Sequence, residues 1–118
     1  MKVIIVDDEQ KFIIMLSKRL VMRGIETDVV DSGKEAIKKI AHTDYDIAVL
    51  DIKMPGISGL ELKKELATIA PSLKFIFVTG HGTVSESEKS AEEKDIYLSK
   101  PLDIEILIEK MNEVTKNG

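Results

Sequence analysis

The chain has no cysteine and no tryptophan, only three prolines and two histidines, and aromatic residues make up just 4% of it. Without cysteine there are no disulfides and no thiolate metal sites. Two histidines, His42 and His81, are too few for a His-rich metal centre; His42 ends a helical stretch and reads as structural or exposed. The scarcity of aromatics means that the core must be aliphatic, and the 43% hydrophobic content supplies the Ile, Leu, Val and Ala to build it. No apolar run approaches the ~18 residues of a membrane span. The amino terminus, MKVIIVDDE, turns acidic at Asp7, unlike a signal peptide, so no membrane role and a cytoplasmic location are the simplest expectations. The net charge of −4 comes from scattered acids, which argues against a nucleic-acid-binding surface. Internal repeats, linkers and low-complexity segments are also lacking. The 118 residues suit one domain, 1–118.

The stretch Asp46–Gly59, DIAVLDIKMPGISG, organises the rest. The apolar run Ile47-Ala48-Val49-Leu50 ends abruptly in Asp51, as expected of a parallel strand buried on both faces. Asp51 then lies at the carboxyl end of its strand, where open α/β sheets place ligands. Pro55-Gly56 fixes the turn that follows. Taken alone, Asp51 reads equally well as a loop or capping acid.

Lys2–Val6 predicts a first buried strand, ending in Asp7-Asp8-Glu9. Phe12, Ile13, Leu16 and Leu20 recur at helical spacing in Gln10–Met22, with Gly24 placed to stop that helix. Ile25–Val30 reads as a mixed strand near an edge. Ser32-x-x-Glu35 and Ser58-x-x-Glu61 have capping-box spacing. Ala36, Ile37 and Ile40 follow the first box, and Leu62, Leu66 and Ile69 follow the second. Pro71 ends the latter helix. Leu73–Val78 predicts a fourth buried strand ending in Thr79-Gly80. A thinly apolar fourth helix is expected from Thr83 to Lys94, then a short strand Ile96–Leu98 and Ser99-Lys100-Pro101. Asp103 can cap a last helix with Ile104, Leu107, Ile108, Met111 and Val114 on one face, and Thr115–Gly118 should fray.

Strand then helix, five times over, calls for a parallel sheet with helices on both faces. Right-handed crossovers and one reversal of winding predict a three-layer, doubly wound (βα)5 sandwich with flavodoxin-like strand order 2-1-3-4-5. Strands 1 and 3 are then neighbours, so Asp7, Asp8 and Asp51 meet, and Thr79 and Lys100 finish at the same rim. Clustered carboxylates repel and need a cation. Lys100 supplies one charge, and oxygen-only ligands suit Mg2+ or Mn2+. Asp51 lies centrally and is the candidate nucleophile, since carboxylates form acyl phosphates. Lys100 and Thr79 would bind phosphoryl oxygens, because phosphoryl transfer asks mainly for positioning and charge stabilisation.

Asp7-Asp8, Asp51 in DIKMPG-x-SG, Thr79 in FVTG and Tyr97-Leu98-Ser99-Lys100-Pro101 together resemble the receiver domain of bacterial two-component response regulators. The resemblance spans essentially the whole chain. It implies Mg2+-dependent transfer of a phosphoryl group to Asp51 from a sensor histidine kinase or phosphotransfer protein. It also implies metal ligation by Asp7, Asp8, Asp51 and the Lys53 backbone carbonyl, and phosphate binding by Lys100. Thr79 and Tyr97 match the family's switch pair, and the Lys100–Pro101 peptide bond is expected to be cis. Catalysis is confined to the protein's own phosphorylation and dephosphorylation. Lys53 and His81 match positions that tune phosphoryl lifetime. The output protein or domain is not specified, and a homodimer through the fourth helix, fifth strand and last helix is an expected mode.

Two departures stand out. Glu93-Lys94 replace the family's usual Gly-Ala before the switch aromatic, and the stretch from Thr79 to Lys100 is slightly short. Both bear on partner and coupling, not on the phosphorylation chemistry. Competing readings are a receiver-like module that is never phosphorylated, an N-terminal receiver fragment of a DNA-binding regulator, an aspartyl phosphatase and a nucleotide- or flavin-binding domain. The phosphatase would carry a second Asp at the position of Lys53, and the nucleotide site would need a Gly-rich loop where Asp7-Asp8-Glu9 stands.

Overall fold

Five apolar runs pair as parallel strands in the computed structural model, which describes residues 1–80 and 95–116. They are β1 (Lys2–Val6), β2 (Glu26–Val30), β3 (Ile47–Asp51), β4 (Lys74–Thr79) and β5 (Ile96–Ser99). The described helices are α1 (Gln10–Val21), α2 (Gly33–His42), α3 (Gly59–Ile69) and α4 (Ile104–Lys116). The sheet order is β2-β1-β3-β4-β5, as the winding argument requires. The helix expected over Thr83–Lys94, the Glu93-Lys94 departure and His81 lie outside the described residues.

Alternation along the strands sorts the core into two layers. Ile4, Val6, Ala48, Leu50 and Phe77 pack with Ala36 and Ile40 of α2 and Leu62 and Leu66 of α3. Val3, Ile5, Ile47, Val49, Ile76 and Val78 pack on the other face with Ile13, Leu16 and Leu20 of α1 and Leu107 and Met111 of α4. β1, β3 and β4 are covered on both faces, which explains their unbroken apolar runs. β2 is an edge strand, and its half-buried pattern matches its mixed sequence.

Both serine caps form. Ser32 Oγ accepts from the Glu35 N–H, and Ser58 Oγ accepts from the Glu61 N–H at 3.2 Å while donating to Glu61 Oε1 at 3.1 Å. Asp103 Oδ1 accepts from the Glu105 N–H at 2.9 Å and so starts α4. Past α1, Gly24 takes φ +79° and donates its N–H to Val21 O at 2.9 Å, a left-handed stop that a side chain would strain.

Two expectations are corrected. α4 does not fray at Thr115: the helix runs through Lys116, and the Thr115 hydroxyl donates to Met111 O at 2.9 Å. Ile69 shares the Leu62/Leu66 face by spacing but is 43% exposed, because it sits in the last turn of α3.

Candidate functional site

Register, more than any local motif, builds the site. Val6 is the partner of Leu50 across β1 and β3, so Asp7 and Asp51 emerge side by side. Thr79 is the partner of Ser99 across β4 and β5, and the Lys100 N–H donates to Thr79 O at 2.8 Å. The Lys100–Pro101 bond is cis. One acid pair, one acid, one threonine and one lysine from four strands therefore share a rim.

The same alternation divides that rim. Asp7 and Asp51 continue the rows that face α1 and α4, while Thr79 continues the row of Phe75 and Phe77. Tyr97 lies on that second side, stacked on Phe77 with ring centroids 5.2 Å apart and planes inclined by 21°. Thr79 is buried, Tyr97 is half-buried, and Lys53 is exposed.

Asp7, Asp8 and Asp51 each offer a carboxylate oxygen, and these atoms lie within 4.8 Å of one another. Asp7 and Asp51 are buried and Asp8 is exposed. Lys100 Nζ lies 2.8 Å from Asp7 Oδ2 and 2.8 Å from Glu9 Oε1. It also sits 4.4 Å from the centre of the Phe12 ring. The Asp7 carboxylate takes a second hydrogen bond from the Glu9 N–H at 2.9 Å, and Asp51 Oδ1 takes one from the Lys53 N–H at 3.3 Å. A cavity of about 240 Å3 opens onto Asp8, Glu9, Asp51, Lys53, Gly80 and Lys100.

Burial, and then the charge of Asp7, push the Asp51 carboxyl up from 3.8 to about 7. Lys100 and the Lys53 N–H pull it down, and Asp8 adds a smaller upward push. For Lys100, burial acts to lower the ammonium pKa, but hydrogen bonds to Asp7 and Glu9 and the charges of Asp7 and Asp51 outweigh it, leaving a net rise. Three carboxylates against one ammonium leave an acidic excess. Their hard oxygen donors, close enough to share one ion, fit a small divalent cation.

The loop after Asp51 is anchored tightly. The Ile52 N–H donates to Val78 O at 3.0 Å, and the Gly59 N–H donates to Ile52 O at 2.8 Å. A Cβ at Gly59 would collide with the backbone carbonyl of Asp51, so only glycine lets α3 begin this close to the site.

Asp7, Asp8, Asp51, Lys53, Thr79 and Lys100 lie at the rim, whereas Tyr97 lies two residues below it against Phe77 and His81 lies outside the described residues. His42 is exposed at the end of α2. Glu9 and Phe12 were not singled out for the site, and both touch Lys100. Glu9 follows the acid pair directly, which was a readable signal; Phe12 reads as an ordinary core position of α1. A part-buried Lys63–Asp95 ion pair at 2.8 Å, joining α3 to the start of β5, is a further contact outside the predicted set. Nothing in the local sequence of either residue marks it.

A family model described as "Response regulator receiver domain" matches residues 3–112. The two-component response regulator PhoP of Pseudomonas aeruginosa is 32% identical over all of this chain and 53% of its own length. The chain thus spans about half the length of the curated relatives it matches. The solved Francisella response regulator 1452 receiver domain superposes with a TM-score of 0.83 at 32% identity, covering 98% of this chain and 97% of that one. Response regulator TrrA of Thermotoga maritima, solved with Mg2+ and BeF, gives a TM-score of 0.82 at 34% identity over 96% of this chain and 97% of its own. TrrA has also been solved in complex with the histidine kinase ThkA. The order of the strands, the acids, Thr79 and Lys100 at their ends, and the match over nearly the whole sequence lead to one conclusion: this chain belongs to the response regulator receiver domain family.

Proposed function

We propose that Asp51 accepts a phosphoryl group from the phosphohistidine of a sensor histidine kinase or a phosphotransfer protein, in the cytoplasm, and that residues 1–118 act as one receiver unit. One observation carries this reading: three carboxylates gather within 4.8 Å at the rim, with Lys100 2.8 Å from one of them. An Asp51 carboxylate oxygen forms the new O–P bond as the P–N bond to the donor imidazole breaks. The bonding pair leaves with the imidazole, which takes up a proton.

Asp7, Asp8, Asp51 and the Lys53 backbone carbonyl would hold Mg2+, or Mn2+ in its place. When bound, such a cation offsets the clustered carboxylates and draws charge from the phosphoryl oxygens. Lys100 donates to one phosphoryl oxygen. The Thr79 hydroxyl donates to another, on the opposite side of the sheet rim. Tyr97 follows Thr79 through the shared row with Phe77, and so carries the change to β5. Lys53 faces the same cavity as Asp51 and would tune the phosphoryl lifetime. Chemistry is confined to this self-modification, which makes the domain a signalling module whose output partner is a separate protein or domain.

The test is incubation with acetyl phosphate, with and without Mg2+, followed by intact mass. The expected result is a Mg2+-dependent gain of one phosphoryl group that Asp51→Asn abolishes. A wild-type protein that gains no mass, or a gain that persists in Asp51→Asn, refutes the proposal.

A further inference from the structure

We propose that Glu9 is a positioning residue that parks Lys100 on the α1 side of the rim, so that release of Lys100 from Glu9 is part of phosphoryl acceptance. The inference rests on the reading of Asp51 as phosphoacceptor.

A lysine ammonium has three N–H donors and no acceptor. In this protein three partners surround that of Lys100. Asp7 Oδ2 and Glu9 Oε1 each lie 2.8 Å from Nζ, and the Phe12 ring face lies 4.4 Å away, well within cation–π range. Among the described residues the ion pairs of Lys100 are with Asp7 and Glu9, not with Asp51. A phosphoryl oxygen that takes a hydrogen bond from Lys100 therefore draws the ammonium away from this cluster and competes with its partners for the charge.

Burial decides which partner gives way. The Asp7 side chain is 2% exposed and would be left as a charge without its ammonium, which is costly. Phe12 is fixed by the packing of α1 against the sheet. The Glu9 side chain is 60% exposed and returns to water at little cost. It also makes no cap hydrogen bond to α1, so its role at Lys100 is separable from the helix. Glu9 is the partner that yields. It holds the lysine ready beside Asp7 while competing with the incoming phosphoryl group for one donor.

The experiment is a cycle of Glu9→Gln, Lys100→Met and the double variant, each phosphorylated with phosphoramidate at saturating Mg2+ and followed by intact mass. Glu9→Gln should raise the initial rate by about 2- to 5-fold, the range over which a part-exposed ion pair shifts an equilibrium. In the Lys100→Met background the same change should have no effect. An unchanged rate with Lys100 present overturns the proposal. So does an equal rise in both backgrounds, which would mean that Glu9 merely repels the anionic donor. A second readout needs no phosphorylation. The ε-methylene NMR signal of Lys100 in the metal-free protein, displaced by the Phe12 ring current, should move in Glu9→Gln. An unmoved signal overturns the parked geometry, whereas a wild type that takes no phosphoryl group at all overturns the reading of Asp51 while this signal still reports on Glu9.

Discussion

Replacing Asp51 by Asn should stabilise the metal-free fold at pH 8 and leave it nearly unchanged at pH 4. The Asp51 carboxyl titrates near 7 in the folded chain against an ordinary 3.8. Between those values the unfolded chain releases a proton that the folded chain keeps, so raising the pH through this window destabilises the fold, and above it the whole deficit is present. A shift of about three units corresponds to at most ~4 kcal/mol. The Asp51 residue is only 6% exposed, but its carboxylate borders the open cavity beside Asp8. Water there screens the repulsion, and about 2 kcal/mol is the better expectation. Asn keeps an oxygen that can accept from the Lys53 N–H, so the local backbone need not move. For a domain of this size the gain amounts to roughly 8 °C in Tm. The assay is thermal unfolding of both proteins in EDTA at pH 4, 6 and 8, repeated with Mg2+. The gap should grow with pH and shrink when Mg2+ is added, because binding to the folded wild type adds stability by mass action. Equal stability at pH 8 would refute the reasoning. A gap of the same size at pH 4 would refute it too, since packing and not ionisation would then be the cause.

Other outcomes are equally specific. Gly59→Ala should cost about 1–3 kcal/mol by urea unfolding, because its methyl meets the fixed carbonyl of Asp51; an unaffected midpoint would mean that α3 can slide. Lys63→Met should cost about 1–3 kcal/mol, since it leaves the part-buried Asp95 carboxylate without its cation, and Lys63→Met combined with Asp95→Leu should recover most of that loss. The Tyr45 hydroxyl, which donates to Asp28 Oδ2 at 2.6 Å, is pushed above the usual tyrosine range by burial, then by that bond and the charge of Asp28. Its folded pKa is raised, so its contribution to stability is fully present below the ordinary tyrosine value and is lost as pH rises from there through the raised folded value. An ultraviolet titration should show a late tyrosine transition that Tyr45→Phe removes, with a loss of about 1 kcal/mol at pH 7.

The legible parts of this fold were those where one physical requirement writes directly into neighbouring residues. A strand covered on both faces must be apolar throughout, so Ile47–Leu50 announced itself, and the charge that breaks the run marked the rim at Asp51. Serine caps were legible because the bond they make spans only three residues. Helical spacing, by contrast, tells which residues share a face but not where the facing layer stops. Hence Ile69 was placed with Leu62 and Leu66 although it lies past them in solvent. The partners of Lys100 illustrate the same limit. Its approach to Asp7 follows from strand order, and Glu9 could have been read from its place next to the acid pair, whereas Phe12 reaches it through the way α1 leaves β1, which no spacing encodes. Lys63 and Asp95 meet across 32 residues of chain, through the tertiary fold alone.

The neighbourhood of β1 and β3 also shapes how the chain reaches this fold. Their pairing brings together segments separated by α1, β2 and α2, so it closes late and costs loop entropy before it returns any contact. The two strands can zip from Val3 and Ile47 towards Val6 and Leu50 with apolar side chains throughout. Only at the last step do Asp7 and Asp51 meet. The end of the sheet that carries the chemistry therefore closes against its own charge, and a divalent cation that offsets this charge should slow amide exchange at the carboxyl termini of β1 and β3.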